Sequence, residues 1–339
     1  MSRPIGGHDT RARARDLGIV PAPGVTGAAN AITDVPGILV GQVTIRSEPD
    51  IHSGVTAVVP EGIGPDASLP AGVHSGNGFG KLIGYTQLVE LGRIESPIVL
   101  TSTLSAFRAA DAVVEWMLTD PRWNDVTTFN PVVGECNDGH LSDIRSRPVQ
   151  TRHVLEALAS ARSGQVRQGA VGAGTGTIAL GFKAGIGTAS RSVAIAEHRF
   201  TIGGLVQANF GGRLRIGGRI IEPPHPPARD AGSCMLVIAT DAPLESRQLT
   251  RLATRAVYGL GRVGAEYRHG SGDYGIAVTT NPRTPLTDDQ LDPFITAVLD
   301  LTEEMVLDAL IAADATRGFR GRFASALTDT PWWRSLNTP

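Results

Sequence analysis

The sequence predicts a layered α+β fold. Strand-like and helix-like segments come in blocks instead of alternating strictly, which argues against a doubly wound sheet. The runs at 193–196, 200–209 and 214–221 alternate with period two and are rich in β-branched residues, the pattern of antiparallel neighbours. The run 234–239 is apolar throughout, as in a strand buried on both faces. The 339 residues suffice for one large domain or two ordinary ones, and no internal repeat of fixed period divides them.

Residues 1–30 read as an irregular arm. Arg3, Arg11, Arg13 and Arg15 make it basic; with no apolar run beside them it reads as a solvated tail and not as an export signal. Strands are expected at 38–45 and 55–59, with turn residues and His52 between them. A glycine-rich loop at 75–80 leads into a helix over 81–91, and 97–101 reads as a buried strand. The next helix, 105–118, carries Phe107, Ala110, Val114 and Met117 at helical spacing. A further helix at 149–161 aligns Val154, Leu155 and Leu158, and a glycine-punctuated stretch at 169–187 precedes the three alternating runs. Pro223, Pro224, Pro226 and Pro227 then impose an extended, exposed segment. Beyond the apolar strand, a helix at 245–261 gathers Leu249, Leu252, Ala253, Ala256, Val257 and Leu260 into an inner stripe, and 274–279 is a strand. The last helix starts near Thr287, where Asp288 and Asp289 suit its positive end, and runs to 313.

Composition narrows the function. A formal net charge of -2 creates no strong field toward nucleic acid or an anionic membrane. No stretch approaches the ~20 apolar residues of a membrane span. Cys136 and Cys234 are expected as free thiols and the cytoplasm as the compartment. No serine has glycine two residues to each side, so there is no nucleophile elbow. The histidines form no HExxH and the cysteines no CxxC, so neither a metal nor another cofactor is expected. A dinucleotide loop beginning at Gly172 would need glycine at Thr177, and a Walker loop ending at Gly80-Lys81 would need it at Ser75. Both readings fail.

The sharpest local feature is Gly232-Ser233, set between the proline-rich segment and the apolar strand. A turn entering a strand looks the same. The chemistry offers more: a serine hydroxyl can attack the carbonyl of the preceding residue, and glycine there has no Cβ to obstruct the approach. Cleavage would free the Ser233 α-amine, whose ordinary pKa of ~7.7–8.0 suits a general base near neutral pH. Nucleophile and base would then be one residue, with no histidine required.

The junction has company along the chain. Asp230-Ala231-Gly232-Ser233 and the following Val237-Ile238-Ala239-Thr240-Asp241-Ala242-Pro243-Leu244 resemble the L-aminopeptidase/D-esterase and β-peptidyl aminopeptidase family. So do Asn30-Ala31-Ile32-Thr33-Asp34-Val35, Gly134-Glu135-Cys136-Asn137-Asp138-Gly139, Gly181-Phe182-Lys183 and Val206-Gln207-Ala208-Asn209, in order over nearly the whole chain. The resemblance implies a four-layer αββα sandwich of the N-terminal-nucleophile hydrolase kind. It also implies autocleavage into residues 1–232 and 233–339, and homo-oligomers of the processed units. Carried over by position, Ser233 matches the nucleophile and Asn209 the oxyanion donor. Ser271 and Asp273 match a Ser-x-Glu pair that hydrogen-bonds the nucleophile and its amine, and Glu135 matches the carboxylate that holds the substrate's free amine. Two departures touch substrate preference: Asp273 is one methylene shorter than glutamate, and Asn137 stands where a tyrosine can assist the oxyanion.

The expected activity is therefore aminopeptidase action on short peptides, amides or esters through an acyl-enzyme on Ser233. An amidase of the nylon-oligomer type, acting on ω-amino amides, is the sibling alternative. A self-cleaving acyltransferase of the ornithine-acetyltransferase type generally cuts at threonine, which Ser233 is not. A binding protein that never cleaves is disfavoured, because every polar position required carries a usable side chain.

Overall fold

In chain order the first strands are β1 (Ile38–Ser47), β2 (Ile51–Pro60), β3 (Leu69–Gly78), β4 (Leu82–Ile83), β5 (Arg93–Ile94), β6 (Ile98–Ser102) and β7 (Val132–Cys136). A short hairpin, β8 (Ile178–Ala179) and β9 (Phe182–Lys183), precedes the long pair β10 (Ile186–Ile195) and β11 (His198–Asn209). A second small hairpin, β12 (Arg215–Ile216) and β13 (Arg219–Ile220), is followed by β14 (Ser233–Thr240) and β15 (Gly272–Thr279). The helices that matter here are α1 (Tyr85–Glu90), α2 (Ala106–Leu118), α3 (Thr151–Ala159), α4 (Ser246–Gly259) and α5 (Asp292–Ile311). This computed structural model describes residues 12–21, 24–226 and 232–336; Arg3, Arg11, Pro227 and Asp230-Ala231 lie outside them.

The strands form a five-stranded sheet of order β1-β2-β6-β7-β4 and a six-stranded sheet of order β10-β11-β14-β15-β3-β5. Three apolar cores separate four layers. Ala109, Val113 and Met117 of α2 with Val154 and Leu158 of α3 cover Val43, Val55, Val99 and Val133 of the first sheet. Its other face, with Val40, Val58 and Leu100, meets Leu205, Met235, Val237, Ile276 and Val278 of the second. The far side of the second sheet, with Val206, Leu236, Ile238 and Ala277, packs on α4 and α5 through Leu249, Leu252, Phe294 and Met305. This is the αββα sandwich. It also explains the unbroken apolar run of β14: successive residues point into two different cores, so both parities must be apolar.

Several expectations need correction. Residues 75–78 belong to β3, whose pairing with β15 (Gly272↔Gly78, Ile276↔Val73) uses backbone groups and leaves little side-chain signature. The helix expected over 81–91 is the two-residue β4 followed by α1 alone. His52 lies inside β2 and is buried. Strand β10 starts at Ile186, within the glycine-punctuated stretch, and 214–221 is the β12–β13 hairpin turned by Gly217-Gly218 at positive φ. The inner face of α2 is Ala106, Ala109, Ala110, Val113 and Met117, while Phe107 is 68% exposed. Small alanines face the sheet because they let the helix axis come close; size misdirects the assignment to Phe107. Arg13 and Arg15 are partly buried and anchored and do not belong to a free solvated tail. They form ion pairs of 2.6 Å with Asp308 and 2.7 Å with Glu304, both buried on α5.

Candidate active site

Strand β11 ends at Asn209 and β14 begins at Ser233, and the antiparallel register sets these residues opposite each other. On its other side β14 runs parallel to β15, with Cys234 opposite Asp273, so the first residues of both strands share one edge of the sheet. Ser271 immediately precedes β15. Asn209, Ser233, Ser271 and Asp273 are all buried.

The Ser233 hydroxyl donates to the Gly232 carbonyl oxygen at 2.6 Å, which places it against the peptide bond it would cut. A Cβ built on Gly232 would lie 2.5 Å from Ser271 Oγ and 2.8 Å from Ser271 Cβ, so only glycine lets Ser271 pack this closely on the junction. Ser271 Oγ donates to Asp273 Oδ1 at 2.7 Å. The second carboxylate oxygen, Oδ2, is buried and has no hydrogen-bond partner among the described residues. Burial pushes the Asp273 carboxyl up to about 6, against the opposing pull of the Ser271 hydrogen bond. Burial likewise drives the Cys136 and Cys234 thiols well up, which keeps both sulfurs protonated and unreactive. Asn209 Oδ1 accepts the Ile178 backbone N–H at 3.1 Å, which fixes the plane of the amide and so the direction of its NH2 half.

Glu135 comes from the other sheet. It sits on β7 opposite Thr101 of the parallel β6. Its carboxylate accepts the Lys81 backbone N–H at 2.9 Å and the Thr103 hydroxyl, with Lys81 Nζ at 3.7 Å. Gly80 links it to the serine cluster: a Cβ there would lie 3.4 Å from Glu135 Oε1 and 3.0 Å from Gly272 Cα. Its neighbour Cys136 donates its thiol to the Ser233 carbonyl oxygen at 3.3 Å, which ties the two sheets together at the junction. Asn137 closes a local turn, its Oδ1 accepting the Gly139 N–H at 2.9 Å.

The structure thus gathers Ser233, Gly232, Asn209, Ser271 and Asp273 into one cluster with Glu135 beside it, and leaves the Asn137 carbonyl oxygen engaged elsewhere. Reading by sequence missed Thr103, Lys81, Cys136 and Ile178. Each touches the site through a backbone group or a small hydroxyl or thiol, and no local pattern marks such contacts. Gly80-Lys81, tempting as a phosphate loop, instead wraps the Glu135 carboxylate.

A buried serine heading a central strand of an αββα sandwich, with its hydroxyl against the preceding carbonyl, defines the class of N-terminal-nucleophile hydrolases. Residues 30–324 match peptidase family S58, and the chain belongs to that family. It is 38% identical over 350 aligned positions to the β-peptidyl aminopeptidase BapA of Sphingosinicella microcystinivorans, covering 91% of this chain and 88% of that one. A protein of Pyrococcus horikoshii OT3 superposes with a TM-score of 0.88 at 38% identity, over 96% of this chain and 98% of that chain. The L-aminopeptidase D-Ala-esterase/amidase of Ochrobactrum anthropi, described as a prototype for the serine aminopeptidases and a variant of the Ntn-hydrolase fold, gives 0.85 at 38% identity, over 96% and 97% of the two chains. The protein is a hydrolase of the serine aminopeptidase kind.

Proposed function

We propose that the chain is a precursor that cuts itself between Gly232 and Ser233 and then works as an aminopeptidase on short peptides, amides or esters. The observation that carries this is the Ser233 hydroxyl held at 2.6 Å on the Gly232 carbonyl oxygen, at the head of a buried strand. In processing, Oγ attacks the Gly232 carbonyl carbon and its proton passes to the departing nitrogen. The resulting ester is hydrolysed by water, leaving a Gly232 carboxylate and a free Ser233 amine. In turnover that amine takes the hydroxyl proton as Oγ attacks the substrate carbonyl. The leaving amine or alcohol collects the proton, and water releases the acyl group. Asn209 donates to the oxyanion in both steps. Ser271 and Asp273 orient the nucleophile, and the unpartnered Asp273 Oδ2 gains a natural partner once the amine exists. Glu135 holds the substrate's ammonium, and Asn137 completes the binding wall from the same β7 end.

The relatives named for β-peptidyl and D-Ala-ester or amide substrates support this class. We further read the products, residues 1–232 and 233–339, as one unit that assembles into a cytoplasmic homo-oligomer; the exposed Leu104, Phe107 and Leu118 around α2 are consistent with a covered face. Ser233→Ala tests the reading. Processing and hydrolysis should both vanish, because both need one hydroxyl, and wild-type hydrolysis by this variant removes Ser233 from the mechanism.

A further inference from the structure

Lys183 is a buried charged group, among the described residues, that plays no part in the proposed chemistry. It lies on β9 with no exposed surface, and all three of its donors go to backbone carbonyls: Gly174 at 3.3 Å, Thr177 at 3.0 Å and Ala184 at 2.5 Å. Burying an ammonium on neutral acceptors is costly, and an apolar side chain would fill the same space without that cost. Burial, with Arg46 adding repulsion and Asp314 opposing it, pulls its pKa down to about 7. A lysine kept under such conditions calls for an explanation beyond packing.

The explanation lies in one peptide unit. The Thr177 carbonyl that accepts from Lys183 Nζ belongs to the same amide as the Ile178 N–H, and that N–H donates to Asn209 Oδ1 at 3.1 Å. The same carbonyl also accepts the Ala184 N–H at 3.2 Å, so the peptide plane is held from its oxygen side by two donors. A donor on the carbonyl, strongest when the amine is protonated, draws electron density from the amide and strengthens its N–H as a donor. The Asn209 amide, bound through its oxygen, is polarised in turn, and its NH2 group becomes a better and better-aimed donor.

We propose that Lys183 is a positioning residue for Asn209, acting through the Thr177–Ile178 peptide to orient and polarise the oxyanion donor without touching substrate. The proposal rests on the reading of Asn209 as that donor.

A double-mutant cycle separates the two. Its readouts are the first-order rate of chain cleavage, followed by intact mass, and kcat and KM of the processed enzyme. Lys183→Met keeps the stem and removes the charge and donors. It should slow cleavage and lower kcat by about tenfold, with KM within about twofold of wild type, since a weakened oxyanion donor acts on the transition state. In an Asn209→Ala background the same change should slow nothing further, because the group it acts through is gone. Lys183→Gln retains a neutral donor and should fall between. Equal slowing in both backgrounds means that Lys183 works independently of Asn209 and overturns the proposal. Insolubility of both the Met and Gln variants does the same, since it assigns Lys183 to the fold alone. Wild-type rates for Asn209→Ala by itself would instead remove Asn209 from the oxyanion site, an outcome visible without any Lys183 variant.

Discussion

Glu135 is held by a backbone N–H and a threonine hydroxyl, with the Lys81 ammonium 3.7 Å away. That leaves it as an oriented anion able to pair with a second cation, and an aminopeptidase must distinguish a free N-terminus from an internal peptide bond. A charge-assisted bond of this kind, broken in a desolvated pocket, costs on the order of 2–5 kcal/mol. Glu135→Gln keeps the shape and removes the charge. It should lower kcat/KM on free-amine substrates by at least about tenfold, or roughly 1.4 kcal/mol. Autocleavage should suffer much less, because the precursor's scissile bond carries no free amine upstream. Equal loss of both activities in one preparation would instead assign Glu135 to the fold or the nucleophile. Asp273, in its proposed role, is expected to give processing a pH dependence. Its carboxyl is raised from 3.8 to about 6, so the carboxylate predominates above that value and the acid form below it. In the precursor the Ser233 nitrogen is an amide and does not titrate, so the cleavage rate should fall as pH drops through about 6. Asp138 also sits near 6 through burial, held by the Ser53 and Ser102 hydroxyls, and Asp138→Asn should leave that limb in place. Stability runs the other way. A raised carboxyl contributes stability that is present at low pH and lost as pH rises from 3.8 to about 6, a loss that Asp273→Asn should abolish in denaturation measured across that window.

At the scale of elements, the site depends on how closely the outer helices ride on the sheets. Helix α5 crosses β10 at Gly187, where a Cβ would meet the Met305 carbonyl oxygen at 1.8 Å. Gly187→Val must push the helix outward and should cost about 1–3 kcal/mol, read as a lower urea midpoint at unchanged m-value. A midpoint equal to wild type would show that α5 does not seat as described. The elements differ in how clearly the sequence announces them. Helix α4 is legible down to its stripe of Leu249, Leu252, Ala253, Ala256, Val257 and Leu260, since a strongly amphipathic helix must bury one face. Helix α2 is legible as a helix, but its inner face is set by alanines that only the neighbouring sheet selects. Strands β3 and β7 go unannounced, the first because glycines leave little side-chain pattern and the second because five buried residues carry no alternation. That second omission matters most, for β7 delivers Glu135 and Cys136.

Over the whole molecule, the proposed cut does not divide the fold. In the six-stranded sheet β14 and β15, which follow Gly232, lie between β11 and β3, which precede it. Helix α5 from the later part packs on β10 and β11 from the earlier one. Two fragments of 232 and 107 residues (339 − 232 = 107) are therefore expected to co-elute under native conditions and to separate only in denaturant. Intact mass checks the fragments and size exclusion checks their association. A fully active preparation of uncut chain, or fragments that drift apart in buffer, contradicts this account.

By itself the sequence determined the layered α+β class, the doubly buried β14, the amphipathic α4 and the Gly232-Ser233 junction, because each rests on local periodicity or on the chemistry of adjacent residues. The candidate roles of Asn209, Ser271, Asp273 and Glu135 came only through resemblance to a family, since residues up to 138 positions apart (273 − 135 = 138) leave no mark on one another in a single chain. Tertiary structure alone decided that Arg13 and Arg15 are anchored on α5, that Gly232 is required by Ser271, and that Asn209 is fixed by the Ile178 N–H. The physical reason is common to all three. Strand register and sheet stacking create contacts between backbone groups and distant side chains, and neither is encoded at any one position of the sequence.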